Sequence, residues 1–213
     1  MHVAPFSAHS PRRWLAVPLV LGWAGAIVAG GTMVMEYSFR PGRVGLTPVT
    51  WPAASSVSRP VDRPTLVVAM HSRCPCTLAT IEQLSHILSN TADRPRVVIL
   101  LAMPRDADEA WKSNSMVARA SSLPDVELVP DLGGEESNLH GAMTSGYVVL
   151  YNRDGRRVFS GGLTPSRGDA GESAGLAAVE AMLGGRIPGT SAAPVFGCEL
   201  PAPHAAATAG VSE

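Results

Sequence analysis

Apolar residues fall along this chain in three kinds of run. From Trp14 to Met35 they form one block without Asp, Glu, Lys or Arg, long enough to cross a hydrocarbon core of about 30 Å as a helix. From Thr65 to Met70 and from Arg96 to Ala102 they form short β-rich runs, the pattern of strands buried on both faces. From Cys76 to Asn90 they recur at helical spacing, as Leu78, Ile81, Leu84 and Leu88, which predicts an amphipathic helix. A further helix is expected over Asp106–Ser121, opened by acidic residues suited to an N-terminus, and a last one over Glu172–Leu183. Val126–Val129 is a weaker strand candidate. Tyr147–Tyr151 and Arg156–Ser160 flank Asn152-Arg153-Asp154-Gly155 as a hairpin. The order strand, helix, strand, helix, then hairpin and helix defines an α/β domain, and no internal repeat is visible.

Around that domain, residues 36–63 carry Pro41, Pro48, Pro52, Pro60, Gly42, Gly45 and a serine cluster without apolar periodicity, the composition of a linker. The organisation expected is a cytoplasmic N-terminus and transmembrane anchor over 1–35, a linker over 36–63, the domain over 64–198 and a disordered tail over 199–213. Arg12 and Arg13 precede the apolar block, so the positive-inside bias puts the N-terminus in the cytoplasm and the domain in the periplasm or outside the cell. An uncleaved anchor is preferred to a cleaved signal, whose apolar stretch runs to only about 7–15 residues. Small residues near Ala24–Ala26 and Ala29–Gly31 keep cleavage open. Ser10-Pro11-Arg12-Arg13-Trp14-Leu15 is faintly similar to a twin-arginine signal.

Charged residues make up only 16% of the chain and the formal net charge is −1. Nucleic acid is therefore not an expected partner, because phosphate binding needs a clustered cationic excess. The three cysteines are too few for a disulfide scaffold, and two of them share the tripeptide Cys74-Pro75-Cys76 at the junction of first strand and first helix. A helix N-terminus favours thiolate. Arg73 adds a cation beside the motif, and His71 adds charge or a proton relay near neutral pH. Cys74 is expected to be the exposed attacker and Cys76 its partner. The plain alternative is that the cysteines are small buried side chains. His71 is as readily an inert surface or core residue. Arg167 ties or decorates its loop more readily than it binds an anion, His86 and His140 read as ordinary surface residues, and Trp111 packs its helix on the sheet.

Cys198, held near the apolar pair Val195-Phe196, widens the options. If that segment docks at the start of the first helix, Cys198 resolves a disulfide in a three-thiol relay. Alternatively it completes a metal site, because His71, Cys74, Cys76 and Cys198 supply one imidazole and three thiolates suited to Zn²⁺ or Cu(I). Converging contacts with the His71 ring would favour metal. A His71 turned away would favour the relay. The primary expectation is a thiol-disulfide oxidoreductase without cofactor, serving protein thiol or disulfide clients or a membrane electron donor. The alternative is a copper- or zinc-binding module or metallochaperone.

The stretch from about Pro64 to Cys198 resembles the thioredoxin-like superfamily. Its cysteine motif lies between first strand and first helix, and Gly141–Tyr147 leads to Asp154-Gly155 as in that family's Thr-Pro-strand-Asp-Gly stretch. Gly146 stands where the family has a cis-proline. The spacing is Cys-x-Cys where the family usually has Cys-x-x-Cys, which places Arg73 at the family's nucleophile position and Cys76 at its resolving position. His71–Cys76, Ser160–Gly168 and Val195–Cys198 are similar to bacterial membrane-anchored RedB-type proteins. That resemblance implies the central sheet flanked by helices and the anchor, and no established reaction.

Overall fold

A computed structural model describes residues 12–202 of the chain, which divide into an N-terminal helical unit ending at Ser38 and a larger unit from Phe39 onward. The first is helix α1, Arg12–Phe39, with Pro18 inside it. Its stretch Ala16–Phe39 is apolar and wholly unburied, and its length of about 36 Å at 1.5 Å per residue exceeds a bilayer core. One long apolar helix of this kind suits a single-pass anchor and a signal sequence equally.

The larger unit holds strands β1 (Thr65–Met70), β2 (Arg96–Met103), β3 (Val126–Leu132), β4 (Tyr147–Tyr151) and β5 (Arg157–Gly162), and helices α2 (Thr77–Asn90), α3 (Glu109–Lys112), α4 (Ser115–Ser121), α5 (Glu135–Leu139) and α6 (Ala174–Leu183). They build a five-stranded mixed sheet in the order β3-β2-β1-β4-β5. β1, β2 and β3 run parallel, whereas β4 is antiparallel to both β1 and β5. β1 and β4 are buried at every residue, as their unbroken apolar sequences require in the centre of a sheet covered on both faces. One face packs on α2 and α6 through Leu84, Ile87, Leu88, Leu176 and Val179; the other holds Val67, Val98, Tyr147, Tyr151 and Val195. β3 contains Pro130, acceptable because this strand is at the sheet edge.

Three expectations change. The helix expected over 106–121 is broken into α3 and α4, because Asn114 takes an extended backbone and its side chain accepts from the Met116 and Val117 amides, starting a new helix. The segment read as a linker lies on the domain: Val44 bridges to Ala142, Thr50 to Arg156, and Val57 is buried. Proline and glycine there set an irregular path; Trp51 supplies ring contacts at 5.0 Å to Tyr151 and 5.1 Å to His140. The expected tail is ordered at its start, where Glu199 bridges to Thr144 and Leu200 is buried, while residues 203–213 lie outside the described part.

Candidate functional site

β1 ends at Met70, and the next six residues turn the chain into α2. Within this turn the Cys74 amide donates to the His71 carbonyl at 3.2 Å and the Thr77 amide to the Cys74 carbonyl at 3.0 Å. Ser145, just before β4, holds the turn from the other side: its hydroxyl accepts from the His71 amide at 3.2 Å and shares a 3.0 Å hydrogen bond with the Thr77 hydroxyl. Cys76 is the residue before α2 and has helical backbone angles without a side-chain cap, so the helix-end amides face the motif.

The third cysteine comes from the far end of the chain. Residues 193–200 pass beside β5 and the approach to β4: the Gly162 amide donates to Pro194, the Ser145 amide to the Cys198 carbonyl at 2.8 Å, and the Leu200 amide to Met143 at 2.9 Å. Val195 and Phe196 are buried, as their apolar side chains predict. Gly197 makes this possible, because a Cβ there would sit 1.9 Å from the Ser145 carbonyl oxygen. Arg167 adds a tie by donating to the Gly197 carbonyl. The result is a Cys74 Sγ to Cys198 Sγ separation of 3.1 Å, with all three cysteines unbridged.

Side chains from two segments, the β1–α2 turn and the C-terminal stretch, thus converge. The sulfurs of Cys74 and Cys198 and one ring nitrogen of His71 lie within 4.8 Å of one another. Cys74 is fully buried, contrary to the exposed attacker expected from sequence, whereas Cys76 and Cys198 are partly exposed. The cause is the docked C-terminal segment, which covers the first thiol. Cys76 stands outside the three-residue group, so the nearest arrangement pairs Cys74 with Cys198 rather than with its neighbour in sequence.

The thiols also differ electrostatically. Burial pushes Cys74 up, but hydrogen bonds from the Cys198 side chain and backbone, the Cys76 backbone and Thr77 outweigh it and bring the thiol below its ordinary value. Burial pushes Cys76 up, and the charge and hydrogen bond of Cys74 add to this against the opposing Arg167 guanidinium. Cys198 is pushed up to about 12 by burial and then by its hydrogen bond and charge contact with Cys74. One negative charge shared by the group therefore belongs on Cys74. Burial lowers the His71 pKa, so its ring is neutral near pH 7 rather than a cation beside the thiols.

Arg73 does not serve as the expected cation. Its guanidinium pairs with Asp108 at 3.1 Å and lies 4.5 Å over the Trp111 ring. Arg167, read from sequence as a loop residue, does tie its loop and is also the cation acting on Cys76 and Cys198. Trp111 packs at the core margin and against the His71 ring at 5.7 Å. Gly146 has φ +91 and no cis peptide bond precedes β4; glycine is suited to that left-handed region. His86 is a half-exposed partner of Glu180 at 2.9 Å. His140 is no surface residue: it is buried and its Nδ1 is 2.9 Å from the Tyr151 hydroxyl.

An α/β domain with a five-stranded mixed sheet thus carries a Cys/His cluster able to bind metal or perform redox chemistry. No protein-family profile and no curated protein matches the sequence. Among solved structures, the chain is similar to a hypothetical protein from Sinorhizobium meliloti 1021, at 21% identity over 80% of this chain and 100% of that one, with a TM-score of 0.58. It is similar to an uncharacterized conserved protein from Geobacillus kaustophilus at 18% identity over 76% and 95% of the two chains, with a TM-score of 0.60. The N-terminal domain of PilB from Neisseria gonorrhoeae matches at 20% identity over 55% and 76%, with a TM-score of 0.36.

Proposed function

We propose that this chain is a membrane-anchored, extracytoplasmic thiol-disulfide oxidoreductase of thioredoxin-like fold whose redox couple is Cys74 with Cys198. The observation that carries the reading is the 3.1 Å approach of those two sulfurs, one buried and one partly exposed. A disulfide is about 2.05 Å long, so the pair has to close by about 1 Å. Strand order β3-β2-β1-β4-β5 and cysteines at the β1–α2 junction support the fold assignment. RedB-type similarity in the three motifs supports the membrane-bound setting without specifying a reaction.

The asymmetry of the pair supports a direction. In the oxidised form a client thiolate attacks the outward sulfur of Cys198, forming a client–Cys198 disulfide and breaking the Cys74–Cys198 bond. Cys74 departs with the bonding electron pair as a thiolate held by the Cys198 and Cys76 backbone and the Thr77 hydroxyl, and thiols of lower pKa leave faster. A second client thiolate then attacks the client sulfur and releases Cys198, which takes a proton. The client loses two electrons and the protein gains them; a disulfide-bearing partner or a membrane electron acceptor takes them up to restore the couple. Cys76 and Arg167 lie beside this path and tune it.

Peptide mapping by mass spectrometry after oxidation tests the reading. A Cys74–Cys198 disulfide with Cys76 free, and loss of exchange with a dithiol peptide in Cys74→Ser and Cys198→Ser, is the expected result. A Cys74–Cys76 disulfide in the fully oxidised protein, or exchange as fast as wild type in the double variant, overturns it.

A further inference from the structure

We propose that the reduced chain binds one Cu(I) ion through His71, Cys74 and Cys198. The inference uses the residues of the redox couple but rests on their proximity in the reduced state, not on exchange with clients. Metal–sulfur bonds of about 2.3 Å set at 120° place two sulfurs about 4 Å apart. The observed sulfur pair at 3.1 Å lies between that span and a disulfide bond, and all three donor atoms already fall within 4.8 Å of each other. A shift of about 1 Å one way gives the disulfide and about 1 Å the other way gives the metal site.

His71 supplies the independent observation. Its side chain is buried, at 8% exposure, and its Nδ1 has no hydrogen-bond partner among the described residues. A buried ring nitrogen without a partner forfeits its hydration and gains nothing in return. The backbone does not relieve this: the His71 amide and carbonyl are engaged by Ser145 and Thr77, which fix the residue while leaving the ring atom unsatisfied. A metal ion at the sulfur pair accepts an imidazole lone pair.

The donor set selects the ion. Two thiolates and an imidazole are soft to borderline ligands that suit Cu(I) and zinc and reject hard cations. Zinc in closed sites takes four protein ligands in a tetrahedron. Here three donors gather among the described residues, and Cys76, the sequence-level candidate for the fourth, is outside the group. Burial of Cys74 and His71 gives the enclosed, low-coordinate setting that suits Cu(I). A Cys74–Cys198 disulfide consumes two of the three donors, so the oxidised protein has no such site.

The test is an anaerobic titration of the reduced full chain, in detergent, with Cu(I) in competition with bicinchoninate, paired with X-ray absorption of the loaded wild type. One equivalent of Cu(I), two sulfurs and one nitrogen in its first shell, and no binding after disulfide formation are expected. His71→Ala and Cys198→Ser are each expected to weaken binding by at least about tenfold, while His86→Ala, whose side chain pairs with Glu180 outside the group, stays near wild type. The absorption spectrum needs no variant and so decides the matter even where a variant unfolds. No bound Cu(I), a two-sulfur shell without nitrogen, full affinity in Cys198→Ser, or preferential retention of Zn²⁺ overturns the proposal. A Cys74–Cys198 disulfide formed by a protein that takes no Cu(I) removes this inference and leaves the redox reading standing; Cu(I) bound by a protein that never forms that disulfide does the reverse.

Discussion

Cys74 is pulled two ways, since burial penalises its thiolate while four hydrogen-bond contributions stabilise it, and the contributions together win. Removing the first of them gives a prediction with a definite sign. In Cys198→Ala the Cys74 pKa rises, read as a shift of its thiolate ultraviolet absorbance to higher pH during a pH titration. An unchanged titration would mean that the Cys198 thiol is not the donor that holds the charge. His140 gives a second residue-scale prediction. Burial lowers its pKa to about 4 from an unfolded value near 6.5, so over this interval the unfolded chain binds the proton and the folded one does not. Its contribution is therefore complete above about pH 6.5 and lost as pH falls toward 4, a change of about 3 kcal/mol. Denaturant melts at pH 7 and pH 5 measure it. His140→Gln should flatten the slope, and an equally steep slope in that variant would assign the acid sensitivity to other groups.

At the level of elements, the 193–200 segment determines which thiol is reachable. Gly197 passes so close to the Ser145 carbonyl that any side chain there forces the segment outward. Gly197→Ala is expected to speed alkylation of reduced Cys74 by at least about tenfold, the change that corresponds to 1.4 kcal/mol of weakened docking. Alkylation as slow as in wild type would show that something other than this segment covers the thiol. The sequence made the central strands and α2 legible because Thr65–Met70, Arg96–Met103 and Tyr147–Tyr151 are apolar enough to have only one stable placement. It also suggested Cys198 near the motif, since Val195-Phe196 had to bury somewhere. Illegible were the contacts made by irregular backbone. Nothing local in Arg167 says that its guanidinium reaches Gly197. The burial of His140 depends on Trp51 and Tyr151, and the cover over Cys74 depends on a segment remote in sequence. Arg73 adjoins Cys74 in sequence, but its partners Asp108 and Trp111 are set by the fold and leave no local trace in the motif.

At the scale of the molecule, α1 is the feature among the described residues that bears on location. Arg12 and Arg13 before its apolar stretch lead to the expectation of a membrane-bound protein whose residues from about 36 onward face away from the cytoplasm. A reporter fused after Glu213 that works only outside the cytoplasm, with the protein staying in the membrane fraction, is the expected result. A reporter active only in the cytoplasm overturns the topology, and soluble mature protein shows that the segment is a cleaved signal. The spread of the site along the chain has a consequence in time. Cys74 and Cys198 are 124 residues apart, and at about 5–20 residues per second the ribosome makes the second roughly 6–25 s after the first. During that interval His71 and Cys74 exist without their third companion, so a chain interrupted between residues 74 and 198 carries a bare thiol with neither its cover nor its sulfur partner. Of the stretches that carry His71, Cys74 and Cys198, the one with Cys198 is synthesised last, so a working site forms only after the whole α/β domain up to that residue has been made.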